Sequence, residues 1–348
     1  PNPRGGFRGA KGITGNADLI LISSASCIYV YDKQWNLVNT ISHPSCSGVH
    51  EIHLDSENRL WVTSTRNDIL FAFDLNGELL EFNYLRKEKV LRENLDWNRP
   101  IIITDSMIES GKIDFRDPRT HEIAKYDAAH LNSVVSHPDG GLLISLGLVV
   151  GGKFWGLIQI KYWLLKLGLW KFVVAFNRLL LRMMRRSKDM HSDLVVQPAK
   201  GKSVVARMND GVVEPVLVLE GQHVPSHSII TAPDGTAFYL NTAPGDLIHF
   251  RLDTGKIISQ THVTDKFLRG AYLLSDEVIL LGSQSTLIYF DFVQCEVLDR
   301  IELSDNKLEN VFDIKELPES FSLPPKSFEA ILGKPIGFDG HKPLFENS

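Results

Sequence analysis

A polar residue, an alternating apolar run, a turn rich in Asp, Gly or Asn, and a second apolar run form a unit that recurs along the chain. It reads His227-Ser-Ile-Ile-Thr-Ala-Pro-Asp-Gly-Thr-Ala-Phe-Tyr-Leu-Asn, and again from His50 (His-Glu-Ile-His-Leu-Asp-Ser-Glu-Asn-Arg-Leu-Trp-Val-Thr-Ser). A third copy starts at His130. Two further copies put arginine in the leading position, Arg8-Gly-Ala and Arg269-Gly-Ala-Tyr-Leu-Leu. Period-2 alternation on either side of a turn predicts a β-hairpin in each copy. The 42-residue steps from 8 to 50 and from 227 to 269 match one β-propeller blade of four short strands. The expected fold is therefore all-β, a β-propeller over 1–318. A sixth blade, begun at Val311-Phe-Asp-Ile and completed by strands from upstream sequence, is favoured; five complete blades plus one extra strand is the alternative.

Two stretches break the pattern. Residues 84–129 are charged and irregular, with a short helix expected near Leu85–Leu95 and a strand near Pro100–Met107. Because this insertion runs straight into His130, it is expected over the same end of the propeller. The second break, 151–190, interrupts blade three with helical composition. Residues 151–188 hold nine Lys or Arg and no acid, so the remainder of the chain sums to −14 against a total of −5. On a helical wheel Lys171, Arg178, Arg182 and Arg185 share a face, with apolar residues over the rest and Trp155, Trp163 and Trp170 alongside. Lysines at 161, 166 and 171 interrupt every window long enough to span a bilayer. An amphipathic α-helical insertion lying in an anionic lipid interface is expected, with a protein or homo-oligomer interface as the other reading. That places the chain at the cytoplasmic face as a peripheral membrane protein. The tail, 319–348, is proline-rich coil.

The acidic balance argues against a nucleic-acid partner. Three cysteines, Cys27, Cys46 and Cys295, share no metal-site spacing and cannot all pair, which fits a reducing compartment.

In a propeller the first strand of each blade lines the axis, so the leading residues should converge at one mouth. The candidate site is thus His50, His130 and His227 as metal ligands, with Arg8, Arg269, Asn132 and Glu51 as ligand-binding residues. Three imidazoles are a donor set that a divalent transition metal, zinc or iron, accepts with positions left open for a small molecule. Without metal the same ring is an anion funnel or an acid–base pair, and the plainest reading is a set of strand caps. His53, His137, His249 and His262 fall elsewhere in their repeats and read as packing or surface residues.

Several short motifs carry a resemblance: His50-Glu51-Ile52, His130-Leu131-Asn132-Ser133-Val134, Pro225-Ser226-His227-Ser228, Phe267-Leu268-Arg269-Gly270-Ala271 and Val311-Phe312-Asp313-Ile314. In this order they resemble a bacterial β-propeller family known as a domain of unknown function and often linked to TPR proteins. The hairpins also look like those of the six-bladed gluconolactonase and strictosidine-synthase group. That likeness implies six blades, but the group's calcium ligands have no match here. Two functions follow: a membrane-surface enzyme acting on an amphiphilic or anionic substrate at the His/Arg mouth, or a non-catalytic scaffold docking through its arm.

Overall fold

The computed structural model describes residues 9–95, 97, 103–104, 106–107, 114–117, 127–150, 164, 167–169, 172, 175, 201–305 and 310–321. Five four-stranded antiparallel meanders succeed one another. Blade one comprises β1 (Ile13–Gly15), β2 (Leu19–Ser23), β3 (Ile28–Asp32) and β4 (Leu37–Ile41). Blade two comprises β5 (Val49–Leu54), β6 (Leu60–Ser64), β7 (Ile69–Phe73) and β8 (Leu79–Tyr84). Blade three comprises β9 (Leu131–Ser136), β10 (Leu142–Val149), β11 (Gly201–Asn209) and β12 (Val212–Gln222). Blade four comprises β13 (His227–Thr231), β14 (Thr236–Asn241), β15 (Asp246–Arg251) and β16 (Ile257–His262). Blade five comprises β17 (Leu268–Leu273), β18 (Val278–Ser283), β19 (Thr286–Asp291) and β20 (Glu296–Glu302).

The turns follow from their aspartates. Asp55 accepts the backbone N–H groups of Glu57 and Arg59, Asp32 those of Gln34 and Asn36, and Asp74 that of Glu78. An Asp side chain that mimics a backbone turn closes a hairpin locally, before any long-range packing exists. Burial then falls off radially. Strands β6 and β7 are buried along their whole length, whereas β20, on the rim, is exposed throughout.

Apolar side chains meet between neighbouring blades. Val62 and Phe71 pack with Leu21 and Val30, Trp61 and Leu70 with Leu131 and Ile144. Leu143 and Val205 pack with Tyr239 and Ile248, and Phe238 and Leu240 with Leu281 and Phe290. The gap between blades five and one is filled differently. Segment 310–321 runs there as coil, its Val311 N–H donating to Gln284 O and its Asp313 Oδ2 accepting the Ile13 N–H at 3.1 Å. Phe321 and Leu317 then pack on Ile20, Ile22 and Tyr31 of blade one.

Six blades are therefore corrected to five. Val311-Phe-Asp-Ile alternates like a strand, but it is wedged between two blades with no ladder to join, so it forms single bonds to each. Gly270 shows how tight that wedge is. It sits at φ +74°, and a Cβ there would stand 3.1 Å from the backbone of Phe312 and Asp313. Gly270→Ala should lower stability by about 1–2 kcal/mol through left-handed strain and crowding, read as a shifted denaturant midpoint.

A 3₁₀ turn at Leu85–Lys87 and a short helix α1 (Lys89–Asn94) open the first insertion. Of the strand expected over 100–107, only 103, 104, 106 and 107 are described, none of them in a strand. Ile103 and Phe115 pack into the core between blades one and two, and the Phe115 N–H donates to Pro44 O. The arm at 151–190 falls almost wholly outside the described residues, so the amphipathic insertion is not shown. Leu167–Leu169 turn there with Gly168 at φ +70°, and Leu167, Leu169 and Phe172 are exposed. Among the described residues no helix is long and apolar enough to cross a membrane.

Candidate functional site

The first strands carry an irregularity near the mouth. Pairing of first to second strand slips between Val49 and Ile52, between His227 and Ile229, and between Leu268 and Ala271. Residues 130, 228 and 270, at the head of blades three, four and five, have φ of 54°, 57° and 74°. A bulge with one left-handed residue re-aims the neighbouring side chains. Left-handed backbone at His130 and Ser228 is strain that the surrounding structure must hold in place.

The result is convergence of three imidazoles separated along the chain by 80 and 97 residues. Ring centroids are 5.3 Å apart for His50 and His130, 5.9 Å for His50 and His227, and 5.8 Å for His130 and His227. One ring nitrogen of each lies within 4.8 Å of one from the others. Each Nδ1 faces an acceptor. His50 Nδ1 lies 2.6 Å from Gly48 O, His130 Nδ1 3.0 Å from Asp127 Oδ2, and His227 Nδ1 3.1 Å from Thr242 Oγ1. A carbonyl or carboxylate oxygen can only accept, so the contacts to Gly48 and Asp127 require Nδ1–H on His50 and His130, with the Thr65 hydroxyl also 2.7 Å from His50 Nδ1. The Thr242 hydroxyl donates to Leu240 O, which leaves its lone pairs to His227. In a neutral ring so oriented, Nε2 is the atom that keeps its lone pair.

Charge acts in the same direction. Burial, then Lys11 and Arg269, hold His50 well below the ordinary imidazole range. His227 is lowered likewise by burial and by Arg269 and His130. These two rings are neutral at physiological pH, the form in which imidazole ligates a metal. Zn–N bonds of about 2.0–2.1 Å put ligand nitrogens roughly 3.3 Å apart in a tetrahedral site. The three ring nitrogens, all within 4.8 Å of one another, are near enough to close on one ion.

Arg269 lies with its guanidinium 3.9 Å over the Phe312 ring. Arg8 lies outside the described residues. Blade one instead contributes Lys11, buried, ahead of Gly12, whose absent Cβ would stand 2.5 Å from His50 O. Lys11-Gly12 mirrors Arg269-Gly270, a signal the sequence carried one turn beyond Arg8. Asn132 is buried; its Nδ2 donates to Ser226 O at 2.7 Å, and its Oδ1 has no hydrogen-bond partner. Glu51 lies one residue beyond His50 and accepts from the Ser228 hydroxyl at 2.7 Å. Burial and the nearby Asp313 push its carboxyl up to about 7.

Further along the same first strands, His53 Nε2 meets Ser136 Oγ at 2.7 Å. His137 accepts the Asp139 N–H, His249 stacks on Phe238 at 4.4 Å, and His262 bonds Asp246. These four do not join the triad. Asp127, expected from the sequence alongside Glu51 as an acceptor that orients a ligating imidazole, does face His130 Nδ1. Sequence reading missed Phe267, whose ring centroid is 5.9 Å from that of His227, and Asp68, whose carboxylate grips the loop before His130.

No protein-family model matches the chain, and no curated protein matches it. Among solved structures it is similar to a protein of unknown function from Bacteroides caccae, at 8% identity and TM-score 0.48, over 85% of this chain and 82% of that one. It is also similar to a catalytically inactive variant of virginiamycin B lyase from Staphylococcus aureus solved with quinupristin, at 10% identity and TM-score 0.47, over 86% and 71%. A luciferin-regenerating enzyme matches at 9% identity and TM-score 0.47, over 84% and 76%. Likeness at this level carries no argument about chemistry, and the assignment of the chain as a β-propeller rests on its own strand topology.

Proposed function

We propose that the axial mouth is a metal centre for an anionic ligand, with zinc or iron held by His50, His130 and His227. The observation that carries this reading is the convergence of the three rings, each with Nδ1 within hydrogen-bond reach of an acceptor and one nitrogen of each within 4.8 Å of the others. Strand caps would need no such agreement. A bound divalent ion would supply a Lewis acid and a water of lowered pKa.

Lys11 and Arg269 bear on what else binds. Their positive charge acts on His50 and works against a bare cation there. The site therefore favours a metal accompanied by a carboxylate, phosphate or sulfate that offsets part of this positive charge. Phe267 and Phe312 border the same space and suit an apolar portion, so an amphiphilic anion fits both features. The chain works, in this reading, as an enzyme on the cytoplasmic membrane surface, with Trp155, Trp163, Trp170, Lys171, Arg178, Arg182 and Arg185 in the lipid interface. The motifs at the mouth support kinship with the TPR-linked bacterial propellers. A scaffold that docks through the same arm is the second reading, favoured by the exposed Leu167, Leu169 and Phe172.

Protein purified without a histidine tag and dialysed against zinc should hold about one ion per chain by mass spectrometry of the metal. A chain that stays metal-free at micromolar zinc would sink the metal reading. For the arm, binding to vesicles of anionic lipid should weaken yet persist as salt rises, because screening removes only the charge contribution. Changing Arg178, Arg182 and Arg185 together to Glu should reduce that binding at least tenfold, at about 1 kcal/mol per base near the surface. Self-association through the arm with no vesicle binding would make it an oligomer interface instead.

A further inference from the structure

We infer that Asp68 and Arg86, buried in blade two, form a positioning pair that sets the orientation of His130 on blade three; this rests on reading the triad as a ligand set. Asp68 lies in the turn between β6 and β7 at φ 56°. Its Oδ2 accepts the Ala128 N–H at 2.9 Å and its Oδ1 the Ala129 N–H at 3.0 Å. Arg86 Nε donates to Oδ2 at 3.3 Å, and neither side chain has any exposed surface. The Asp68 carbonyl in turn accepts the Leu85 N–H, which fixes the start of the 3₁₀ turn that carries Arg86.

Ala128 and Ala129 are the two residues between Asp127 and His130. Asp127 accepts the His130 N–H on Oδ1 and faces its ring nitrogen with Oδ2. Beyond them, Ala129 O and His130 O accept the Leu148 and Gly147 N–H groups of β10. The three backbone N–H groups of 128–130 are thus assigned, two to Asp68 and one to Asp127. The grip of Asp68 fixes the two residues ahead of His130 and so supports the Asp127 and Gly147 bonds that hold it in its left-handed conformation. A fully buried ion pair is a costly way to join two blades, since apolar side chains of similar volume would serve stability as well or better. What the carboxylate adds is direction, because its two oxygens take two successive N–H groups in one fixed geometry.

The test uses Asp68→Asn, which keeps the shape but has a single acceptor oxygen, and the double variant Asp68→Asn/Arg86→Gln, which leaves no buried charge should the first fail to fold. Long-range ¹⁵N–¹H correlation of the imidazoles in metal-free protein should show His130 passing from one tautomer to a mixture, with His50 and His227 unchanged. Zinc affinity should fall about 10- to 100-fold, as for loss of a group that orients a ligand. If His130 keeps its tautomer, if all three rings change alike, or if neither variant folds, the pair is only a support of the fold and the inference is overturned. A His130-specific change in a chain whose wild type takes up no zinc would uphold the positioning role while removing the metal reading.

Discussion

His130→Ala and His227→Ala are each expected to lower zinc affinity by at least two orders of magnitude, taking the bound metal from about one ion per chain to near zero after dialysis. Structural zinc sites with four ligands bind with about 10–16 kcal/mol, so one ligand is worth roughly 3 kcal/mol, or more than a hundredfold. The triad has three protein ligands and no fourth to compensate among the described residues. His137→Ala is the control, because its Nδ1 serves the Asp139 turn at the far end of β9 and its loss should leave the metal untouched. His227 is buried, so its variant also leaves a small cavity, and thermal melting of both proteins separates that cost from the ligand effect. Equal metal content in all three variants would refute the ligand assignment.

The second large effect concerns Glu51. Its carboxyl is raised from 4.5 to about 7 by burial and by Asp313, with the Ser133 and Ser228 hydroxyls and Lys315 pulling it back. The folded state therefore holds a proton that the unfolded chain has already released. The associated stability is fully present below about pH 4.5 and is lost as pH rises through about 7, an amount on the order of 3 kcal/mol. Glu51→Gln keeps an acceptor for Ser228 and does not titrate. Its stability relative to wild type should rise with pH, from near zero at pH 4.5 to about 3 kcal/mol in favour of Gln at pH 8. Taking the difference between the two proteins removes the opposite contribution of His50, His53 and His227, whose lowered values withdraw stability as pH falls below 6.5. A difference that stays flat from pH 5 to 8 in urea titrations would show that Glu51 ionises freely in the fold.

Much of the fold was legible because hairpins are local. Asp32, Asp55 and Asp74 close their turns with residues two to four positions away, so strand, turn and period all stand in the sequence. The meeting of His50, His130 and His227 was legible for a related reason, since each occupies the same place in its repeat. Blade number was not. The alternation of Val311-Phe-Asp-Ile signals an extended chain but does not say whether partner strands exist, and here the neighbours are the finished sheets of blades five and one. Lys11 was overlooked because a match to Arg-Gly at 8 drew attention from Lys-Gly at 11. Asp127 could be named because it lies three residues before His130, whereas Asp68 was invisible for a stronger reason: its buried carboxylate is justified only by donors 60 residues away in sequence, and no periodicity announces them.

The wedge at 310–321 has a consequence for how the protein comes into being. Asp313 takes the N–H of Ile13 across 300 residues of chain, and Phe312 lies under the guanidinium of Arg269. Chains emerge from the ribosome N-terminus first and fold unit by unit, so blades one to five can form before this closing piece exists. All three imidazoles are then already in place, while the cationic side of the mouth still lacks its aromatic floor. A nascent chain would thus acquire its metal ligands early and its full ligand-binding mouth last, which makes competence a property of the finished polypeptide.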